Sequence, residues 1–166
     1  HINGSASKWW LHHSLIALKQ SLDNNLSLYR GDPKNILIKL TETYNVKEIF
    51  WNRCYEPWRI KRDKKIKSFF DDKEICVNTY NGSLLWEPWN VVKNDGTPYK
   101  VFTPYYRKGC LNSEMPRTPI QKPKLDNLLF DKINSISIDD LELMPEHNWH
   151  VAMEKLWTPG EKGAHN

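Results

Sequence analysis

Residues 51–56 carry the side chains of this sequence that are best suited to bind a ligand. Asn52, Arg53, Cys54 and Glu56 follow a short apolar run that is typical of a strand, and a helix start comes next. A pocket for a flat aromatic ligand needs apolar walls and a few fixed polar groups. In a parallel sheet such pockets form beyond the carboxyl ends of the strands. The segment therefore predicts a ligand site, although Glu56 could instead only stabilise the helix N-terminus and Asn52 and Arg53 could make loop hydrogen bonds.

Two pairs of histidines raise the alternative of metal or acid–base chemistry. His12 and His13 are adjacent on a predicted helix, where neighbouring side chains point in different directions. His147 and His150 are three residues apart, but no third ligand is close to them in the sequence. We therefore predict packing or surface roles for these histidines and no metal site.

The composition is typical of a globular domain. The chain has 166 residues, of which 39% are hydrophobic and 27% charged, enough for one domain with a core. No run approaches the roughly 18 apolar residues of a membrane span, and no signal-peptide pattern opens the chain. Three widely spaced cysteines argue against a disulfide framework and favour a cytoplasmic location. Because the sequence opens without Met, we expect that His1 is not the natural start.

The net charge of +4 is concentrated in one segment. Residues 59–67 contain six basic side chains and one acidic side chain. Such a patch can attract phosphate groups. The alternative is a solvated helix face, which the sequence favours because the charges surround the helix and no Gly-rich phosphate loop is near.

Helices and strands alternate along the first half of the chain. The patterns predict helices at residues 7–23, 33–44 and 56–70, and strands at residues 26–30, 47–52 and 74–78. Strands that alternate with helices form a parallel sheet with helices on its faces, so the predicted fold class is α/β. Beyond residue 82 the chain is expected to be extended, with a turn at residues 94–96, a short helix near residues 103–111 and a Pro-rich surface linker.

Two of these helices have a predicted apolar face. The buried positions of the first helix are expected to be Leu11, Leu15, Leu18 and Leu22. Those of the third, basic helix are expected to be Ile60, Ile66, Phe69 and Phe70.

Three segments, in this order along the chain, resemble the DNA photolyase and cryptochrome family. They are ASKWWLHHSL at residues 6–15, WNRCYEPW at residues 51–58, and residues 86–110. The last segment combines rigid aromatics, X-Pro steps and an Asp-Gly turn. The WWLH and VFTP sequences within these segments are most similar to microbial class I photolyases for cyclobutane pyrimidine dimers.

The resemblance implies a Rossmann-like parallel sheet with flanking helices, the antenna-binding domain of the family, followed by an extended linker. Residues 1–111 would belong to this α/β domain, residues 112–157 to an interdomain linker, and residues 158–166 to the start of a helical FAD-binding domain. No counterpart of the family's first β-α-β unit precedes His1. The resemblance therefore implies part of a larger polypeptide, or self-association that completes the sheet.

The resemblance also assigns residues to an antenna chromophore. Glu56 matches a carboxylate with which family members bind the ring nitrogens of that chromophore. Asn52 and Arg53 are weaker candidates, and Lys8 lies where some members place an Arg near the antenna. Cys54 stands where some deazaflavin-binding members carry an acid, which weakens the case for a deazaflavin relative to methenyltetrahydrofolate or FMN.

The function implied by the resemblance is that of a deoxyribodipyrimidine photo-lyase. Reduced FAD in the helical domain would transfer an electron to a pyrimidine dimer in UV-damaged DNA. No catalytic residue is expected in this chain, and these residues alone are not expected to repair DNA. The alternatives are a cryptochrome-type blue-light photoreceptor without repair activity and a nucleotide-binding α/β module, whose Gly-rich loop is not found. The aromatics between residues 86 and 106 are expected to contact the helical domain.

Overall fold

The computed structural model describes residues 4–165 of the chain, so the prediction about His1 lies outside the described residues. Two compact units are present. The sheet unit comprises residues 37–122, and the terminal unit comprises residues 4–36 with residues 123–165. Among the described residues, no helix combines the length and apolar character that a membrane crossing needs.

Helices and strands alternate from the second helix to the second strand, as predicted, but the described residues between the first two helices form no strand. The order is α1 (Ser5–Ser21), α2 (Pro33–Tyr44), β1 (Glu48–Asn52), α3 (Pro57–Asp71) and β2 (Cys76–Tyr80). Two local signals set the starts of the helices: Asp32 caps α2 through the amide of Asn35 at 3.0 Å, and Pro57 occupies the first turn of α3.

The two strands form a parallel sheet, which confirms the predicted α/β fold class. Glu48 of β1 lies opposite Cys76 of β2, and Asn52 lies opposite Tyr80. One face of the sheet packs on α3, and the core formed there consists of Ile66, Phe70 and Val77, with Leu37, Ile38, Ile49, Trp51, Phe69 and Ile75 packed around them. The carboxyl ends of β1 and β2 therefore meet at one edge of this core.

The core of α3 differs from the prediction at one position. Ile66 and Phe70 are buried and Phe69 is partly buried, as expected, but Ile60 is 37% exposed. Ile60 lies in the first turn of the helix and borders a cavity instead.

The prediction of a strand at residues 26–30 is wrong. This segment, in the terminal unit, is extended but forms no strand ladder. The amide of Leu28 donates to the hydroxyl of Ser135 at 2.9 Å, and its carbonyl accepts from the amide of Ile136 at 2.9 Å. A loop thus provides the hydrogen bonds that a neighbouring strand would otherwise supply.

After β2 the chain is mostly irregular up to residue 101. A tight turn closes between Lys93 and Thr97, at the predicted place. A short helix α4 (Phe102–Pro104) continues as a π-helical turn (Tyr105–Gly109) and a 3₁₀ turn (Cys110–Asn112). Further short helices follow in the terminal unit, namely 3₁₀ turns at Asp139–Leu141 and Asn148–His150, α5 (Val151–Glu154) and α6 (Glu161–Ala164).

The buried face of α1 is centred on Trp9 and His12 rather than on the predicted leucines. Trp9 is fully buried, whereas Leu11 and Leu18 are about two-fifths exposed. The indole Nε1 of Trp9 donates to Glu154 Oε1 at 3.4 Å, and Nδ1 of His150 lies 2.6 Å from the same oxygen. A carboxylate of α5 thus holds the aromatic face of α1 within the terminal unit.

The imidazole of His13 lies in the same cluster. Its Nε2 is 3.8 Å from Glu154 Oε1, and its ring contacts that of Trp9 edge to face. The pKa of His13 is lowered from 6.5, first by burial and then by repulsion from His12, while Glu154 opposes this shift and His150 adds to it.

We expect the terminal unit to lose stability when the pH falls through 6.5. The folded protein resists protonation of His13 more than the unfolded chain does, so this contribution is present above pH 6.5 and decreases towards the lower pKa of the folded state. Thermal unfolding between pH 5 and pH 8 measures the effect. The substitution His13→Gln should flatten this dependence, whereas His147→Gln at an exposed position should not, and equal curves for the two variants would contradict the assignment.

Candidate functional site

Two cavities border the carboxyl ends of β1 and β2 in the sheet unit. The smaller one has a volume of about 400 Å³ and an almost entirely apolar wall. Its lining residues are Trp51, Arg53, Cys54, Tyr55, Ile60, Asp63, Lys64, Lys67, Thr79 and Trp89. The larger cavity, of about 860 Å³, shares Arg53 with it and extends past Asn52 and Glu87 towards residues 113–117. Both volumes lie in the range of ligand sites, about 300–1,000 Å³.

An ion pair joins Arg53, which lines both cavities, to Glu87, which lines the larger one. Arg53 follows β1 directly, and its amide donates to the carbonyl of Tyr80 at 2.8 Å, which extends the ladder by one bond. Its guanidinium binds both carboxylate oxygens of Glu87, with Nε–Oε1 at 2.7 Å and Nη2–Oε2 at 3.0 Å. This two-bond geometry fixes the planes of both groups. The segment after β2 is thereby attached to the end of β1.

Two further side chains complete this polar network. The hydroxyl of Tyr55 donates to Glu87 Oε1 at 2.7 Å. Nη1 of Arg53 donates to the carbonyl oxygen of Thr79 at 2.6 Å and contacts its hydroxyl at 3.1 Å. The guanidinium carbon also lies 5.9 Å from the centre of the Trp89 ring, within the range of a cation–π contact. The network therefore holds Trp89 at the mouth of the smaller cavity.

Partial burial makes the charges of this network interdependent. The pKa of Glu87 is lowered overall, because hydrogen bonds from Arg53 and Tyr55 outweigh burial, the largest single influence, which acts in the opposite direction. The pKa of Arg53 is raised, mainly by its hydrogen bond to Glu87. The pKa of Tyr55 is raised by burial and then by the same carboxylate. At neutral pH the network therefore contains one cation, one anion and a neutral phenol.

The structure brings three of the predicted site residues to the cavities. Asn52 lines the larger cavity, Cys54 the smaller one, and Arg53 both. Gly82 lies against Asn52, since a Cβ atom at position 82 would come within 2.3 Å of the Asn52 amide carbon. The backbone after β2 therefore approaches closely because residue 82 has no side chain.

The other two predicted residues are placed differently. Glu56 is exposed, lines neither cavity, and lies 3.7 Å from Arg59 in an ion pair. Lys8 lies on α1 in the terminal unit. Arg59 also contacts the sulfur of Cys54 at 3.4 Å. Ligand binding by any of these five residues remains a prediction.

The smaller cavity suits a flat aromatic ligand with a negative charge. Trp51 and Trp89 supply aromatic surface, and Ile60 adds an aliphatic one. Lys64 and Lys67 are exposed at its border. A planar ring system could therefore contact the indoles, with an anionic substituent near the lysines.

The wider relationships of the chain follow from its similarity to known proteins. The family model described as DNA photolyase matches residues 1–124. The chain belongs to the DNA photolyase family. A deoxyribodipyrimidine photo-lyase of Agrobacterium fabrum is 36% identical over 97% of this chain and 34% of its own length. Cryptochrome-1 of Arabidopsis thaliana is 27% identical over 95% of this chain and 24% of its own length.

A solved structure supports the same relationship. The crystal structure of a class III photolyase from Agrobacterium tumefaciens superposes with a TM-score of 0.87 and 35% identity, over 98% of this chain and 34% of that one. The chain thus spans about a third of the length of the photolyases that it matches. These findings confirm the resemblance and the α/β fold class. The assignment to class I photolyases and the division into antenna domain and linker remain predictions.

Members of the DNA photolyase family generally bind FAD and an antenna chromophore, which agrees with an aromatic ligand in the smaller cavity. Sequence reasoning missed part of the wall of that cavity, because it did not single out Trp51, Tyr55, Glu87 and Thr79 as site residues. Trp89 was assigned to a contact with the helical domain. The WEPW sequence at residues 86–89 was the available signal, since a carboxylate between two indoles is unusual on a solvated surface.

We expect the substitution Glu87→Gln to destabilise the sheet unit by about 1–3 kcal/mol, because Arg53 would lose its charged partner in a partly buried place. Urea unfolding measures the change. The control Glu114→Gln removes an exposed carboxylate of the same unit and should change the free energy of unfolding by less than about 0.5 kcal/mol. Similar values for both variants would show that the ion pair does not stabilise the unit.

Proposed function

We propose that this chain is part of a deoxyribodipyrimidine photo-lyase and that its sheet unit holds the antenna chromophore. The observation that carries the proposal is the cavity lined by Trp51 and Trp89 at the carboxyl ends of β1 and β2, in a chain of the DNA photolyase family. An antenna absorbs light and passes the excitation energy on, so the protein has only to bind and orient it.

The residues around the cavity have the chemistry that such binding needs. Indole faces favour stacked or edge-on contact with another aromatic ring system. The network of Arg53, Glu87 and Tyr55 keeps one indole in place without occupying the cavity itself. Thr79 and Cys54 add polar atoms at its wall.

The border of the cavity favours an anionic antenna. Lys64 and Lys67 would attract the carboxylates of methenyltetrahydrofolate or the phosphate of FMN. Asp63 also lines the cavity, but Nε of Arg62 binds its carboxylate at 2.7 Å and offsets its charge. We therefore place folate and FMN before a deazaflavin without an anionic tail.

Splitting of the dimer belongs to the helical domain of the proposed protein. Reduced FAD, when bound there, supplies the electron that breaks the dimer of UV-damaged DNA, and no residue of this chain is assigned to that step. The motif resemblance favours class I, whereas the similar solved structure is that of a class III photolyase. The proposal of dimer repair does not depend on this choice.

A cryptochrome-type photoreceptor is the second candidate. It is favoured by the similarity to Cryptochrome-1 and to Cryptochrome-2 of Arabidopsis thaliana, at 27% and 28% identity. Such a protein would share the fold and bind chromophores but would leave dimers intact.

Repair activity separates the two candidates. We expect the full-length protein, reduced and illuminated with blue light, to remove pyrimidine dimers from irradiated DNA, and to leave them in a parallel dark incubation. Dimers are counted by an antibody or by a dimer-specific endonuclease. Unchanged dimers in the illuminated sample would contradict the photolyase and favour the photoreceptor.

The antenna site is tested by removing one wall of the cavity. We expect Trp89→Ala to weaken the binding of methenyltetrahydrofolate or FMN about tenfold, because a stacked indole contributes about 0.5–1.5 kcal/mol beyond buried area. Fluorescence titration of the full-length protein measures the affinity, and the FAD content should not change. Trp157→Ala is the matched control, since both indoles are 58% exposed. Equal affinities in the two variants would place the antenna elsewhere.

A further inference from the structure

One side of α3 presents an exposed indole among cations. Trp58, Lys61, Arg62 and Lys65 are spaced three, four and seven residues from the first of them, which places them on one side of the helix. Trp58 is 56% exposed, and Lys61 and Lys65 are exposed as well. We refer to these four residues as the basic face.

The lysines of the basic face are not neutralised by neighbouring carboxylates. Both acidic groups near the start of α3 are bound by arginines, Glu56 by Arg59 at 3.7 Å and Asp63 by Arg62 at 2.7 Å. Among residues 4–165, no ion pair includes Lys61 or Lys65. The ammonium groups of Lys61 and Lys65 are therefore available to an anionic ligand.

Asp71 and Asp72 are the other acidic residues of this helix region. They lie at its C-terminal end, six or more residues beyond Lys65. At about 1.5 Å per residue this separation along the axis is about 9 Å, close to the screening length at physiological salt. The two aspartates therefore weaken the positive potential of the basic face only slightly.

The indole at the centre of the face is held by two guanidinium groups. The Arg59 carbon lies 5.0 Å and the Arg62 carbon 5.6 Å from the centre of the Trp58 ring. Such contacts restrict an exposed side chain that would otherwise move freely. The basic face therefore combines an indole ring that two arginines hold in place with the exposed ammonium groups of Lys61 and Lys65.

We propose that the basic face of α3 binds the phosphate backbone of duplex DNA, as a contact additional to the one at the lesion. The inference rests on the proposed function, which brings the protein to DNA. Lys61 and Lys65 are about 6 Å apart along the helix axis, so each can reach a different phosphate of a strand. Trp58 packs its ring against the sugar edge between them.

This contact has a measurable signature in its salt dependence. Each phosphate neutralised by a lysine adds about 0.9 to the slope of log affinity against log salt concentration. The double variant Lys61→Gln/Lys65→Gln of the full-length protein should therefore reduce the slope on undamaged duplex DNA by about 1.8. Lys64 is left unchanged because it also borders the cavity.

A second double variant controls for net charge. Lys100→Gln/Lys108→Gln removes two exposed lysines of the same unit and should alter the slope by less than about 0.5. Lys61→Arg/Lys65→Arg keeps the charges and should retain the slope of the unsubstituted protein. Trp58→Ala should weaken binding severalfold without altering the slope, since it removes no charge.

Several outcomes would overturn the inference. Equal slopes for the two glutamine variants would mean that net charge, and not this surface, determines the affinity. An equal loss of affinity for single-stranded RNA or for heparin would identify a general polyanion surface instead of one for duplex DNA.

The proposed function is tested separately in the same samples. At saturating irradiated DNA, the illuminated Lys61→Gln/Lys65→Gln variant should repair dimers as fast as the unsubstituted protein. Loss of repair in the unsubstituted protein would contradict the proposed function, whereas the salt slopes would still decide whether the basic face contacts DNA.

Discussion

The ion pair of Arg53 and Glu87 is the interaction on which the candidate site depends. It joins the residue that follows β1 to the irregular segment that follows β2. Both oxygens of Glu87 accept hydrogen bonds within the protein, so this carboxylate positions Arg53 and Tyr55. Trp89 is held over the guanidinium and forms one wall of the smaller cavity. An apolar wall of this cavity is thus held in place by a polar ion pair.

Much of the fold could be predicted because its signals are local. Asp32 and Pro33 mark the start of α2, and Pro57 marks that of α3. The residues at the end of β1 were predicted at the edge of the sheet and line cavities there, since a strand followed by a helix places them at that edge. Such features depend on neighbours within a few positions, which the sequence displays directly.

The features that could not be predicted depend on distant partners. Residues 26–30 alternate like a strand, but whether they form one depends on a neighbouring strand, and here a loop at residues 135–136 takes that place. Trp9 is buried in preference to the leucines of α1 because Glu154, 145 positions away, accepts its indole hydrogen. Glu56 has a suitable side chain but pairs with Arg59 in the first turn of the helix that follows it. The spacing of residues along the sequence does not show which of the possible partners each of these side chains and backbone groups will contact.

The 34 positions between Arg53 and Glu87 have a consequence for biosynthesis. At about 5–20 residues per second, the ribosome adds Glu87 some 2–7 seconds after Arg53. During this interval β1 and α3 can assemble while the guanidinium is still hydrated. The ion pair that supports the pocket wall can therefore form only after residues 54–86 have been synthesised.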